Sequence, residues 1–245
     1  MKINDAVKYP QLFEKEAEGL KALSQFSGLT VPSVVNYGSN GRHQYLQLSW
    51  IESTKPIEDF WEQFGTGLAR MHQKAQPFFG WKDDNYIGSL PQHNKPFDNW
   101  PEFYVSQRIL PLVKTLFDRG HFSAHEMQAA EKFCVTIKNF FPVESPSILH
   151  GDLWSGNFMT AHSGYAAIYD PAVYFGHREM DLGMAKLFGG FDSRFFHAYN
   201  DAYPLEKNWT ERLPLTQLYP ILVHAILFGG HYITNAKNII RRYAG

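Results

Sequence analysis

Cysteine is almost missing from this chain: Cys134 is the only one among 245 residues. No disulfide can form within the chain, and the apolar periodic stretch around Cys134 predicts a buried, inert thiol. Long apolar runs are missing too. None reaches the roughly 20 residues a membrane-spanning helix needs, and no leader with an apolar centre and a small-residue cleavage site opens the sequence. Neither sign of charge prevails: Lys+Arg 23 against Asp+Glu 24 leaves a formal net charge of -1. That balance gives no sign of the basic footprint of a nucleic-acid binder. Internal repeats, low-complexity tracts and a glycine-rich phosphate loop are likewise missing. These absences predict a cytoplasmic protein with no membrane and no nucleic-acid partner.

What is present is a hydrophobic fraction of 44% and an aromatic fraction of 16%, material for a core and pockets built from flat rings. The chain is long enough for one large domain or two modest ones. Residues 1–4 read as the end of a strand. Leu12, Phe13, Ala17, Leu20 and Leu23 then predict an amphipathic helix over 11–26. Strands over 34–37 and 45–50 flank Ser39-Asn40-Gly41, and Asn-Gly is a strong hairpin signal because both residues tolerate positive φ. After Glu52 the character becomes helical. Phe60, Phe64, Leu68 and Met71 predict a helix over 56–74, a polar loop follows over 83–99, and 100–117 is helical again. Ser123, with Glu126 three residues on, predicts a capped helix start. Short strands over 147–149 and 165–169 flank a central motif, and 180–243 is mostly helical. The fold class is α+β, with a sheet-containing part that includes the first helix in residues 1–52 and a large helical part in 53–245.

The motif carries the chemistry. Phosphoryl transfer needs a base beside the accepting hydroxyl and oxygen donors for a metal that bridges phosphates. Asp152 and Asn157 stand five residues apart, and Asp170 ends the next strand, the spacing of such a loop. Gly151 and Gly156 allow the backbone to turn tightly there. A bare Asp-x4-Asn pair would read as a turn satisfying its own backbone donors. The full context of strand, His-Gly-Asp-x4-Asn, strand and Asp-Pro favours the kinase reading. His121 and His125 lack a third ligand at recognisable spacing and read as incidental.

His150-Gly151-Asp152-Leu153-Trp154-Ser155-Gly156-Asn157 resembles the catalytic loop of the fructosamine (ketosamine) kinases, relatives of aminoglycoside and choline kinases. The resemblance continues through Asp170-Pro171-Ala172, residues 175–182 and 187–191, and upstream through 85–88, Gln92-His93-Asn94 and 100–104. It implies a two-lobe protein-kinase-like fold, with a small antiparallel-sheet N-lobe and a large helical C-lobe. It also implies ATP-dependent phosphorylation of the sugar 3-hydroxyl of ketosamines, free or protein-bound. Carried over, Asp152 looks like the base, and Asn157 and Asp170 like the Mg²⁺ ligands. Lys2 looks like the lysine that holds the ATP phosphates and Glu16 like its partner, with Glu14 and Glu18 left open. Ser49, Trp50 and Ile51 look like the linker that meets adenine. Trp154 is expected to stack on the substrate, unless it packs the core instead. His177 and Glu179 are candidates for the substrate's hydroxyls or amine, or solvated loop charges. Asp181 is expected to cap the next helix and brace the loop. The family carries two strands and a phosphate-covering loop ahead of the lysine, and neither precedes Lys2 here. Two rival readings follow: a kinase for another small amine or alcohol, such as an aminoglycoside, and an inactive nucleotide-binding remnant.

Overall fold

The computed structural model describes residues 1–26 and 28–244. Strand β1 (Lys2–Asp5) opens the chain, α1 (Leu12–Phe26) follows, and β2 (Val34–Ser39) and β3 (His43–Leu48) form the expected hairpin. The sheet is antiparallel in the order β1-β3-β2, with Lys2 opposite Leu46. The hairpin turn is held by the Asn40 side chain, whose Oδ1 accepts from the N–H groups of Arg42 and His43 at 3.1 and 2.7 Å. Strand β3 ends at Leu48, and Ser49 beyond it stays tied to Ser33, its N–H donating to the Ser33 carbonyl at 2.8 Å and its Oγ accepting from the Ser33 N–H at 2.9 Å. Phe13, Ala17 and Leu20 of α1 pack on Leu46 as a small core, while Leu23 belongs to the large one.

Helix α2 (Phe60–His72) begins at the first residue of its apolar spacing rather than at 56, after an extended stretch in which Ser53 bridges to Ala161. The segment expected to be a plain loop contains the hairpin β4 (Asn85–Ile87) and β5 (Leu90–Gln92). Strands of three residues are too short to show a period, and Pro91, which a central strand would exclude, is tolerated in a two-stranded ribbon. Next, α3 (Trp100–Phe103) runs through a π-helical stretch, Tyr104–Ile109, into α4 (Leu110–Asp118). The expected capping box opens α5 (Ala124–Thr136). Cys134 is half-buried rather than buried, and burial pushes its thiol up to about 12, which keeps it inert. Two small ribbons frame the central motif: β6 (Ser147–Leu149) with β9 (Tyr174–Gly176), and β7 (Phe158–Thr160) with β8 (Ala166–Ile168). The chain closes with α6 (Glu179–Leu187), α7 (Ser193–Ala202), α8 (Leu213–Phe228) and α9 (His231–Tyr243).

One large core spans α2 through α9, and the loop after α1 joins it, because Thr30 pairs with β8 through its own N–H and carbonyl. Among the described residues no helix is long and apolar enough to cross a membrane.

Candidate active site

The loop 150–157 links β6 to β7, and its shape is dictated from below. Asp181 accepts from the N–H groups of His150 and Gly151 at 2.7 and 2.9 Å, and faces His72 Nε2 at 3.2 Å. It lies in the first turn of α6, whose N-cap is Arg178, so it braces the loop but does not cap the helix. The imidazole of His150 is buried against the Tyr169 carbonyl at 2.9 Å. Gly151 has φ +81°, and a Cβ there would stand 2.0 Å from the Ala172 carbonyl oxygen. Only glycine lets the two strand ends come this close.

Above this floor the polar groups converge. The Asn157 amide nitrogen donates to both the carbonyl and the carboxylate of Asp152 at 2.9 Å. Lys2 reaches down from β1 to bond Glu16 at 2.6 Å and Asp170 at 2.5 Å. Of the three candidate glutamates on α1, Glu16 is the one bonded to Lys2; Glu18 turns away to Lys82 at 2.9 Å. Burial raises the Asp152 carboxyl to about 7 against the Asn157 bond, with Asp170 and Asp181 adding repulsion. Burial also lifts Glu16, with Lys2 opposing. For Lys2, burial works against the charge, but the two carboxylates prevail and hold it above its ordinary value. The cleft so formed has a volume of about 300 Å³ and is also lined by Lys15, Asn85, Tyr86, Gly88 and Trp154. A larger groove, about 760 Å³, lies behind α1 along Lys21, Tyr37 and Trp81 and contains none of Lys2, Glu16, Asp152, Asn157 and Asp170.

The indole of Trp154 lies on the cleft rim, folded over Gly156, where a Cβ would meet the ring at 2.3 Å. Ser49, Trp50 and Ile51 form the crossing between the sheet and the helices and do not line this cleft; Trp50 is 90% exposed.

His177 and Glu179 are not brought to the cleft, which corrects the expectation that they meet substrate. His177 is buried between the rings of Trp100 and Phe141, 5.9 and 5.2 Å away, and burial lowers its pKa. Glu179 is buried and paired with Arg212 at 2.5 Å. Strand β9 pairs with the inner strand β6, and the chain dives directly into α6, so both side chains point into the helical core.

Sequence reasoning missed a buried polar network beneath Asp170. Asp170 itself has φ +56°, a strained value for a residue with a side chain. The backbone after it is clamped: Gln92 donates to the Ala172 carbonyl at 3.0 Å and Asn85 to the Val173 carbonyl at 2.8 Å. Gln92 and Asn94 both donate to Asn85 Oδ1, and the Tyr219 hydroxyl donates to Gln92 Oε1 at 2.8 Å. Arg108, fully buried on the π-helical stretch, donates to Asn94 Oδ1 at 2.7 Å and to the His93 carbonyl. Its guanidinium lies over the Phe103, Tyr174 and Tyr219 rings. An arginine directly ahead of the apolar run Ile109-Leu110-Pro111-Leu112-Val113 was the signal that could have exposed it.

The profile of the fructosamine kinase family matches residues 1–244. A "Probable ketoamine kinase" of Enterococcus faecium is 35% identical over 245 residues, covering 99% of this chain and 86% of its own. The crystal structure of a Thermobifida fusca protein assigned as a fructosamine-3-kinase superposes with a TM-score of 0.86 at 40% identity, over 96% of this chain and 80% of that one. The amicoumacin kinase hAmiN shares the fold alone, with a TM-score of 0.61 at 15% identity over 99% and 80% of the two chains.

Proposed function

Since this chain belongs to the fructosamine kinase family and is a small-molecule kinase for sugar amines, we propose that it phosphorylates the sugar 3-hydroxyl of ketosamines with Mg-ATP. The observation that carries this reading is the meeting of Asp152, Asn157, Asp170 and Lys2 in one cleft with Trp154 on its rim. Asp152 takes the proton of the sugar hydroxyl; a carboxyl near 7 is well matched to take up and release a proton at neutral pH. Asn157 uses its amide nitrogen on Asp152, which leaves the amide oxygen to join the Asp170 carboxylate as donors. An all-oxygen pair of this kind fits Mg²⁺, a hard ion that keeps several of its own waters. When bound, the ion neutralises charge on the phosphate oxygens. Lys2, steadied by Glu16, exchanges its bond to Asp170 for those oxygens.

Ser49 to Ile51 offer backbone groups to adenine where the small and large parts meet. Residues 1–52 thus act as the nucleotide-holding lobe, and 53–245 as the lobe with base and acceptor site. Trp154 stacks on the sugar. The need for ATP puts the reaction in the cytoplasm. The test is an ATP-turnover screen over ketosamines and aminoglycosides, with the product's phosphate located by NMR. Ketosamine-dependent turnover at the 3-hydroxyl is expected. Aminoglycoside turnover without ketosamine turnover, or phosphate on another hydroxyl, would overturn the reading.

A further inference from the structure

The rim of the cleft continues outward as a run of aromatic side chains that phosphoryl transfer leaves unused. Trp154 stands edge-on to Phe188, their centres 6.1 Å apart. Phe188 lies 4.9 Å from the His224 ring, which lies 5.3 Å from Phe228 and 5.0 Å from Tyr232. These rings come from four places in the chain: the catalytic loop, the residue after α6, the last turns of α8, and the start of α9. Trp154 is 38% exposed, Phe188 37% and Phe228 69%. Large rings left in water side by side mark a surface built to be covered.

This ledge touches the cleft at a second point. A Cβ on Gly88, a cleft residue, would stand 3.6 Å from Leu227, the neighbour of Phe228. Trp154, Phe188, His224, Leu227, Phe228 and Tyr232 include no acidic side chain, no lysine and no arginine.

Resting on the ketosamine reading, we propose that this ledge is the subsite for the substituent on the ketosamine nitrogen, and that it selects free ketosamines with an apolar substituent. In a ketosamine the nitrogen sits on C1, two carbons from the 3-hydroxyl. With that hydroxyl at Asp152 and the sugar against Trp154, the nitrogen leaves along the rim and its substituent meets Phe188 next. An extended phenethyl group reaches about 6 Å, the distance of the first ring step. Its ring gains burial and edge-to-face contacts there, while the cationic nitrogen is drawn to the indole face. An α-amino-acid substituent would instead put a carboxylate among aromatic faces, with the cleft's own lysines already engaged, Lys2 by Glu16 and Asp170 and Lys15 by Glu18 and Asp83, so that little there offsets its desolvation.

The test compares ketosamines of one sugar made from methylamine, glycine, phenethylamine and a capped lysine peptide. Each is assayed on the wild type and on Phe188→Ala and Phe228→Ala, with melting temperature and ATP affinity measured alongside. The phenethylamine adduct is expected to exceed the methylamine adduct about tenfold in kcat/KM, and the glycine adduct to fall below both. Each substitution should lower kcat/KM for the phenethylamine adduct about fivefold more than for the methylamine adduct. Equal kcat/KM for all four adducts overturns the proposal. So does a parallel loss for every adduct with a lower melting temperature, which makes the rings structural. A preference confined to the lysine peptide also overturns it, by making a polypeptide the occupant. No turnover of any adduct would instead remove the ketosamine reading, and this subsite with it.

Discussion

Asp152 concentrates two demands in one carboxyl. As a base it has to ionise, yet burial lifts it from 3.8 to about 7. Replacement by Asn keeps the shape and removes the proton acceptor, so ketosamine turnover should fall about a hundredfold or more while ATP affinity changes little; steady-state kinetics beside nucleotide titration check this. The same shift predicts a pH effect in the ligand-free protein. Between about 4 and 7 the folded state holds a proton that the unfolded chain has released, so this group's contribution to stability falls as pH rises through that window and stays low above it. Asp152→Asn has no such proton. Its melting temperature relative to the wild type should climb by about 7–14 °C from pH 4 to pH 7.5, and a flat difference would contradict the burial argument. Gly156 offers a further residue-scale test. A methyl group there stands 2.3 Å from the indole, and the indole's free end can swing away. Gly156→Ala should therefore fold and bind ATP, but lose about tenfold in ketosamine kcat/KM as Trp154 leaves the rim.

Among the elements, the β4–β5 hairpin has the least conspicuous sequence and the most exacting position. Its Asn85 and Gln92 hold the carbonyls of Val173 and Ala172, just beyond the strained Asp170. Strain of this kind persists only where neighbours over-determine it. Gln92→Met removes a donor to Ala172 and an acceptor for Tyr219 in a buried setting, a loss of about 1–3 kcal/mol. The melting temperature should fall, and the Mg²⁺ concentration for half-maximal nucleotide binding should rise about tenfold as Asp170 loosens. Lower stability with unchanged Mg²⁺ dependence would leave the hairpin as scaffolding only.

For the whole molecule, the balance of the two parts decides how it unfolds. Among the described residues the buried core of the sheet side is Phe13, Ala17, Leu20 and Leu46, too little to stand alone. It is tied to the helical side by Lys15 to Asp83 at 3.2 Å, Lys82 to Glu18 at 2.9 Å and the Tyr86 hydroxyl to the Pro10 carbonyl at 2.9 Å. Calorimetry should show one cooperative transition, and residues 1–52 expressed alone should give the circular dichroism of an unfolded chain. Two resolved transitions would mean that the lobes are stable separately.

What could be read from the sequence was local. The Ser123–Glu126 capping box, the Asn-Gly hairpin and the closeness of Asp152 to Asn157 rest on bonds between residues within five positions of each other, so spacing suffices to place them. Other features depended on the tertiary structure. Lys2 meets Asp170 across 168 residues, and the choice of Glu16 over Glu14 and Glu18 depends on how α1 is rotated on the sheet. His177 and Glu179 read as substrate-binding groups or solvated loop charges, because no local pattern reveals that β9 feeds an inner ribbon and then a buried helix. Arg108 and its amide partners, and the ledge of rings from Trp154 to Phe228, draw on elements far apart in the chain. Periodicity shows which face of an element is apolar; only packing decides what that face meets.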